Sequence, residues 1–125
     1  MLTNDFPFLQ PHRLEPGLSG RLHALADDLD RLRDGAGPSE DELAAAPLLS
    51  DWRCALTPLG IRLIGTVWGH PRLRAGEIMT SQIWAADPNG RWVRTMSRYY
   101  RLGARSPLDA EPAHGSRAAD FDGGL

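Results

Sequence analysis

Cysteine is nearly absent from this chain of 125 residues, which contains only Cys54. A single thiol excludes an internal disulfide and is too little for a thiolate metal site. No apolar run approaches the roughly 18 residues that a membrane helix needs. The first six residues also lack the basic and apolar regions of a secretory signal. We therefore expect a cytoplasmic protein that makes no use of a membrane.

Lysine is missing altogether, so all 14 basic residues are arginine. A GC-rich genome accounts for this usage, and the chemical consequence holds whatever its cause. Arginine keeps its charge and presents a planar fork of donors that suits carboxylates and phosphates.

The charge is distributed unevenly along the chain. Residues 1–60 hold ten acids and five arginines (−5), residues 61–105 eight arginines and two acids (+6), and residues 106–125 four acids and one arginine (−3). The basic middle is either a partner site or is neutralised within the fold by the acidic ends.

The N-terminal half has the patterns of helices. Residues 1–17 carry three prolines and predict an irregular arm, whereas leucines spaced four and three apart predict a helix over 18–34. This leucine stripe covers a core or, alternatively, forms the seam of a homodimer. Ser39 and Glu42 form a capping-box pattern that predicts a helix over 39–46, whose acids serve capping. A further short helix is expected over 48–54, with Trp52 as a core anchor.

Residues 61–101 organise the rest of the chain, because they have the alternation and turn signals of β-strands. We predict strands over 61–68, 77–85 and 91–102. A Gly69-His70-Pro71 turn ends the first, and the turn at 87–90 joins the other two. The register of this hairpin stays open. Pairing of Ala86 with Arg91 puts Ile83 and Ala85 on the Trp92 face, and a loop one residue tighter puts Trp84 there instead.

These patterns predict an α+β fold. N-terminal helices pack on a small antiparallel sheet of two to three strands in one domain over 18–105. Residues 106–125 have few apolar side chains and are expected to be a disordered tail.

The candidate binding surface combines arginine with aromatic side chains on the predicted strands and in the nearby turn. Such surfaces stack bases and hold phosphates. Arg94 and Arg98, four residues apart on one strand, would be about 13 Å apart. Pairing of these arginines with the acidic helices is the competing interpretation. The candidates are His70, Arg72, Arg74, Trp84, Trp92, Arg94, Arg98 and Tyr100.

Chemistry by His70 is a weaker hypothesis. As a general base it needs a partner such as Ser81, Glu77 or Asp87, and hydrogen bonding of its ring to the turn backbone is the simpler interpretation. No histidine pair has metal-ligand spacing, so we predict no metal site. We also predict no cofactor, and the leading hypothesis assigns no catalytic residue.

Three short motifs carry a resemblance to a known family. They are Gly69-His70-Pro71, Thr80-Ser81, and the run from Arg94 to Arg98, Arg-Thr-Met-Ser-Arg. Over residues 52–103 the chain resembles a family of short uncharacterised bacterial proteins, a domain of unknown function. The resemblance implies no activity, but it implies an accessory protein of bacteria and mobile elements, such as a small adaptor or an inhibitor of the anti-CRISPR type.

We therefore expect a non-catalytic binding module. Its partner would be nucleic acid, a nucleoprotein or an acidic protein surface. A small hydrolase that uses His70 is the alternative, and a homodimer is compatible with either.

Overall fold

A computed structural model describes residues 1–107 of the chain. The chain divides into two compact units, with the boundary between Gly37 and Pro38. The predicted domain over 18–105 includes parts of both units, so its extent stays a prediction.

The first unit is helical. It contains a single-turn helix α1 (Leu2–Asp5), two 3₁₀ turns (Pro7–Leu9 and Pro11–Arg13) and a long helix α2 (Leu18–Arg33). The predicted helix over 18–34 is confirmed, and the predicted irregular arm consists of single turns. Leu25 is the buried leucine of the stripe. Helix α2 ends where Gly35 adopts φ +91°, a left-handed conformation that glycine tolerates.

The second unit contains one short helix and six strands. Helix α3 (Glu40–Ala45) is capped as predicted. Ser39 Oγ accepts a hydrogen bond from the Glu42 amide at 3.1 Å, and Glu42 Oε1 accepts one from the Ser39 amide at 3.1 Å. The strands are β1 (Leu48–Thr57), β2 (Gly60–Trp68), β3 (Gly76–Met79), β4 (Ile83–Ala86), β5 (Trp92–Thr95) and β6 (Tyr99–Leu102).

The sheet curls so that its two edges approach each other. Its strand order is β3-β2-β1-β6-β5-β4, so the edge strands β3 and β4 follow each other in the chain. Only Thr80, Ser81 and Gln82 join them, and four Cα steps reach at most about 14 Å. The edges of a flat six-stranded sheet are about 24 Å apart. The short connection therefore requires a barrel-like curl, and β4 accordingly lies beside β2.

The core fills the inside of this curl. Its buried cluster consists of Leu49, Leu63, Val67, Val93 and Tyr100. Ile78 from β3 and Ile83 from β4 pack against the cluster, so every strand contributes to it. The burial of these apolar side chains is the main driving force for the curl.

A β-bulge bends the long strand β1. Its pairing with β2 shifts between Ser50 and Arg53, and Asp51 adopts φ +52° there. Gly65 lies opposite the bulge, where a Cβ atom would be 2.9 Å from the backbone oxygen of Ser50 and 3.1 Å from the Cα of Trp52. The bulge therefore requires glycine at position 65.

The short helix predicted over 48–54 is wrong, since these residues belong to β1. The strand pairs with β2 on one side and in parallel with β6 on the other. Tertiary pairing thus overrides local preference. The bulge also breaks the period-two pattern that would have revealed a strand.

The predicted count of two to three antiparallel strands is too low, because the sheet is six-stranded and mixed. The strand over 61–68 is confirmed as β2. The strand predicted over 77–85 divides into β3 and β4, and the one over 91–102 divides into β5 and β6. The predicted turns at 69–71 and 87–90 are present, with φ of +75° at Gly69 and +74° at Gly90.

The open register is settled by pairs that neither alternative named. Ala86 lies opposite Val93 and Ala85 opposite Arg94, so Ala85 is on the Arg94 face. A bulge then shifts the pairing so that Ile83 lies opposite Thr95. Ala85 therefore shares a face of the sheet with Arg94, whereas Ile83 shares the opposite face with Thr95.

The predicted disordered tail over 106–125 is wrong at its first residue. Ser106 is buried, and its amide donates to the Trp52 carbonyl at 2.7 Å. Residues 108–125 lie outside the described part of the chain. No helix within residues 1–107 is long and apolar enough to cross a membrane.

The close approach at Gly65 makes a testable prediction. We expect Gly65→Ala to lower the free energy of unfolding by about 1–3 kcal/mol, because the added methyl group meets backbone atoms. Gly20→Ala is the matched control. Gly20 lies within α2 with open space around it, so alanine should stabilise the helix by about 0.5–1 kcal/mol. Urea unfolding of both variants measures the difference, and equal effects would contradict the assignment of the bulge.

Candidate functional site

Three turns meet at one open pocket of about 440 Å³. They are the turn after β2, the connection between β3 and β4, and the turn between β5 and β6. Each contains one of the motifs that carry the family resemblance. The lining residues are His70, Arg72, Leu73, Ile78, Met79, Thr80, Ser81, Ser97, Arg98 and Tyr100.

The first turn is held together by the His70 ring. Its Nδ1 atom accepts hydrogen bonds from the amides of Arg72 at 3.0 Å and Leu73 at 3.1 Å. The structure thus shows the simpler interpretation of His70, in which the ring forms hydrogen bonds with the turn backbone. In the neutral ring the proton is then on Nε2, which can donate but cannot accept.

The second turn is shaped by Thr80, where β3 leaves β2. The Thr80 hydroxyl accepts a hydrogen bond from the Leu63 amide at 3.0 Å and donates to the Ser81 carbonyl at 2.8 Å. The side chain thus satisfies backbone groups that strand pairing no longer satisfies. This leaves Ser81 beside Ser97, with their Oγ atoms 3.4 Å apart.

The third turn is organised by Thr95, which is fully buried. Its hydroxyl accepts hydrogen bonds from the amides of Ser97 at 3.1 Å and Arg98 at 3.2 Å, and it donates to the Arg98 carbonyl at 3.1 Å. A single threonine therefore fixes the backbone that positions Ser97 and Arg98.

The pocket is positively charged. Arg72 and Arg98 are among its lining residues, and no carboxylate lines it. Neither arginine forms an ion pair with any carboxylate within residues 1–107. In that part of the chain Arg98 Nε is also shielded from solvent without a hydrogen-bond partner. The site is therefore suited to an anion.

The electrostatics keep His70 neutral. Partial burial lowers the pKa of His70, and the positive charges of Arg98 and Arg72 lower it further. Burial raises the pKa of Tyr100, whose ring lies 6.3 Å from that of His70, while Arg98 partly offsets this effect. At neutral pH the pocket thus presents two guanidinium groups and a neutral imidazole.

Four of the eight predicted binding residues meet in this pocket. They are His70, Arg72, Arg98 and Tyr100. Arg74 and Trp84 are exposed but do not line it.

The other two predicted residues are not on an exposed face. Trp92 is 9% exposed and Arg94 is 3% exposed. The Trp92 ring packs edge-on against Tyr99 at 5.4 Å, and the Arg94 guanidinium lies 5.4 Å from the centre of the same ring. Arg94 also donates to the Thr95 carbonyl at 2.7 Å. Trp92, Arg94, Arg98 and Tyr100 therefore do not share one exposed strand face, because the turn at 96–98 interrupts the strand predicted over 91–102 and Tyr100 pairs with Val93.

Within residues 1–107, pairing with an acidic helix is observed for Arg91, an arginine of the basic middle that the competing interpretation did not name. Arg91 forms an ion pair with Glu40 at 3.4 Å. Arg101 instead donates from Nε to the Ala46 carbonyl at 3.0 Å.

The hydroxyl residues of the site and its apolar lining residues are not among the eight predicted binding residues. Thr80, Ser81 and Ser97 were placed on strands, although short polar side chains that interrupt an apolar alternation are a signal for a turn. Leu73 and Met79 carry no comparable signal.

No group of three or more His, Cys, Asp or Glu side chains that could hold a metal ion occurs in the described residues 1–107.

The hydrogen bonds of His70 limit its acid–base chemistry. Nδ1 of His70 is occupied by two amides and Nε2 carries the proton, so the neutral ring has no free lone pair for a general base.

Comparison with known protein families assigns the chain to one of them. A family model described as a family of unknown function, DUF6634, matches residues 24–120. The chain belongs to this family. The match includes the whole region of the predicted resemblance. No curated protein and no solved structure gives a significant match to the chain.

The first prediction for this DUF6634 pocket concerns proton binding. We expect the NMR titration of His70 to have its midpoint below the ordinary value of 6.5. Arg98→Ala should raise the midpoint without restoring 6.5, because burial is the larger cause. A depressed folded-state pKa makes the contribution of His70 to stability complete above 6.5, and this contribution falls as the pH drops through the folded-state pKa. A midpoint at or above 6.5 in the unaltered protein would contradict this account.

The second prediction concerns the turn at 95–98. Thr95→Val keeps the shape of the side chain but removes the hydroxyl, so two partly buried amides lose their acceptor. We expect a loss of about 1–3 kcal/mol in the free energy of unfolding. Amide hydrogen exchange at Ser97 and Arg98 should become faster. Thr95→Ser keeps the hydroxyl and should leave exchange at these amides slow, and faster exchange in both variants would argue against the hydroxyl's role.

Proposed function

We propose that this member of DUF6634 is a non-catalytic module that binds nucleic acid through an anion site in the pocket. The observation that carries the proposal is the pair Arg72 and Arg98, which share one pocket without a carboxylate within residues 1–107. Cations that neutralise phosphates supply most of the affinity of proteins for nucleic acid.

The neutral donors beside the arginines support an anionic ligand. The hydroxyls of Ser81 and Ser97 lie next to each other, and Nε2 of His70 can donate a third hydrogen bond. Together with the guanidinium groups they form a set of donors of the kind that binds phosphate oxygens.

The same geometry favours binding over hydrolysis by His70. Its lone pair is engaged by the turn backbone, and the neighbouring arginines disfavour the protonated ring. An adaptor or an inhibitor that acts on a nucleoprotein, as the resemblance implies, would use the same phosphate contacts. An acidic protein surface is the competing partner.

The test compares two double variants that remove the same charge. Arg72→Ala with Arg98→Ala removes the pocket cations. Arg13→Ala with Arg33→Ala removes two exposed arginines elsewhere. Binding to labelled single-stranded and duplex DNA and RNA is measured across a salt series. We expect the pocket variant to lower the slope of log affinity against log salt by about 1.4–1.8, for two lost phosphate contacts, and the control to retain most of it.

Two results would contradict the proposal. One is absence of binding at low salt, and the other is an equal loss of slope in both double variants. A further experiment measures how well polyglutamate, at the same charge concentration as unlabelled DNA, displaces the labelled nucleic acid. Displacement as effective as that by unlabelled DNA would identify an acidic polypeptide as the partner.

A further inference from the structure

The pocket is lined by two chemically different sets of side chains, which we call its polar wall and its apolar wall. The polar wall carries the arginines, His70 and the serine hydroxyls. The apolar wall consists of the side chains of Leu73, Ile78 and Met79. Leu73 is 48% exposed and Met79 is 50% exposed, so both retain apolar surface that a ligand can cover.

The two walls together describe a ligand with an anionic end and a less polar body. Apolar surface in contact with water is unfavourable, so a ligand that covers Leu73 and Met79 gains affinity that a phosphate ion alone does not. At about 440 Å³ the pocket lies in the range of small-molecule sites, which is about 300–1,000 Å³. This size admits one nucleotide, whereas a longer strand extends beyond it.

We infer that the pocket holds a single nucleotide, with its phosphate at Arg72, Arg98 and the paired serines and its sugar and base against Leu73 and Met79. This inference rests on the proposed function and specifies what the pocket receives. The nucleotide is either free or one unit of a strand, because both offer the same chemistry to the two walls.

Four probes separate the contributions of the walls. Calorimetry measures the affinity of the protein for each probe. The probes are inorganic phosphate, a nucleoside 5′-monophosphate, the same nucleoside without phosphate, and a short single-stranded oligonucleotide. We expect the monophosphate to bind about tenfold more tightly than inorganic phosphate. This gain is expected because the sugar and base cover a half-exposed apolar side chain, which phosphate leaves in water. The nucleoside should bind more weakly than the monophosphate.

Two variants assign the gain to the walls. Leu73→Ser with Met79→Gln should remove the advantage of the monophosphate over inorganic phosphate and leave the affinity for phosphate unchanged. Arg98→Ala should weaken both ligands by the same factor. Leu59→Ser is the control, because Leu59 is 66% exposed at the tip of the β1–β2 hairpin and does not line the pocket. All these side chains are at least partly accessible, and thermal unfolding confirms that each variant is folded.

The outcomes distinguish the inference from the proposed function. Equal affinity for phosphate and monophosphate, with oligonucleotide binding that still depends on Arg98, would overturn the inference alone. A monophosphate that binds as expected without any binding of the oligonucleotide would support the inference and identify a free nucleotide as the ligand, against the proposed function. Absence of binding by all four probes would overturn both.

Discussion

The three-residue connection between the edge strands β3 and β4 is the constraint on which the rest of the structure depends. It is too short for a flat sheet, so the six strands curl around one apolar core. The same curl brings the connection close to the turns that follow β2 and β5. The candidate site is therefore a consequence of the way the sheet closes.

Threonine hydroxyls solve the problem that this closure creates. Backbone amides lose their strand partners wherever a chain turns sharply, and an unpaired buried amide is costly. Thr80 and Thr95 accept hydrogen bonds from these amides, and His70 does the same in the first turn. Because these hydrogen bonds already satisfy the turn backbone, it needs no hydrogen bonds from the side chains of Ser81, Ser97 and Arg98. These side chains can therefore contact a ligand. Side chains that brace the turns and candidate ligand-binding side chains thus occur in the same short motifs.

Local signals predicted the elements that local forces determine. The leucine spacing of α2, the capping box at Ser39 and the glycine turns at 69 and 90 depend on neighbouring residues alone, and all are present. Strand β1 and the divisions at 80–82 and 96–98 depend on partners far along the chain and on bulges that interrupt alternation. The sequence identified four pocket residues by their type. It could not show that Trp92 and Arg94 are buried, because this depends on the register and on the turn after β5.

The most direct test of the pocket as the binding site is an NMR titration of the uniformly labelled protein with a short single-stranded oligonucleotide. The account predicts that the largest shift changes fall together on residues 70–73, 80–82 and 96–98, which are distant in sequence and adjacent in the fold. Changes centred instead on exposed Trp84, with residues 70–73, 80–82 and 96–98 unaffected, would contradict it.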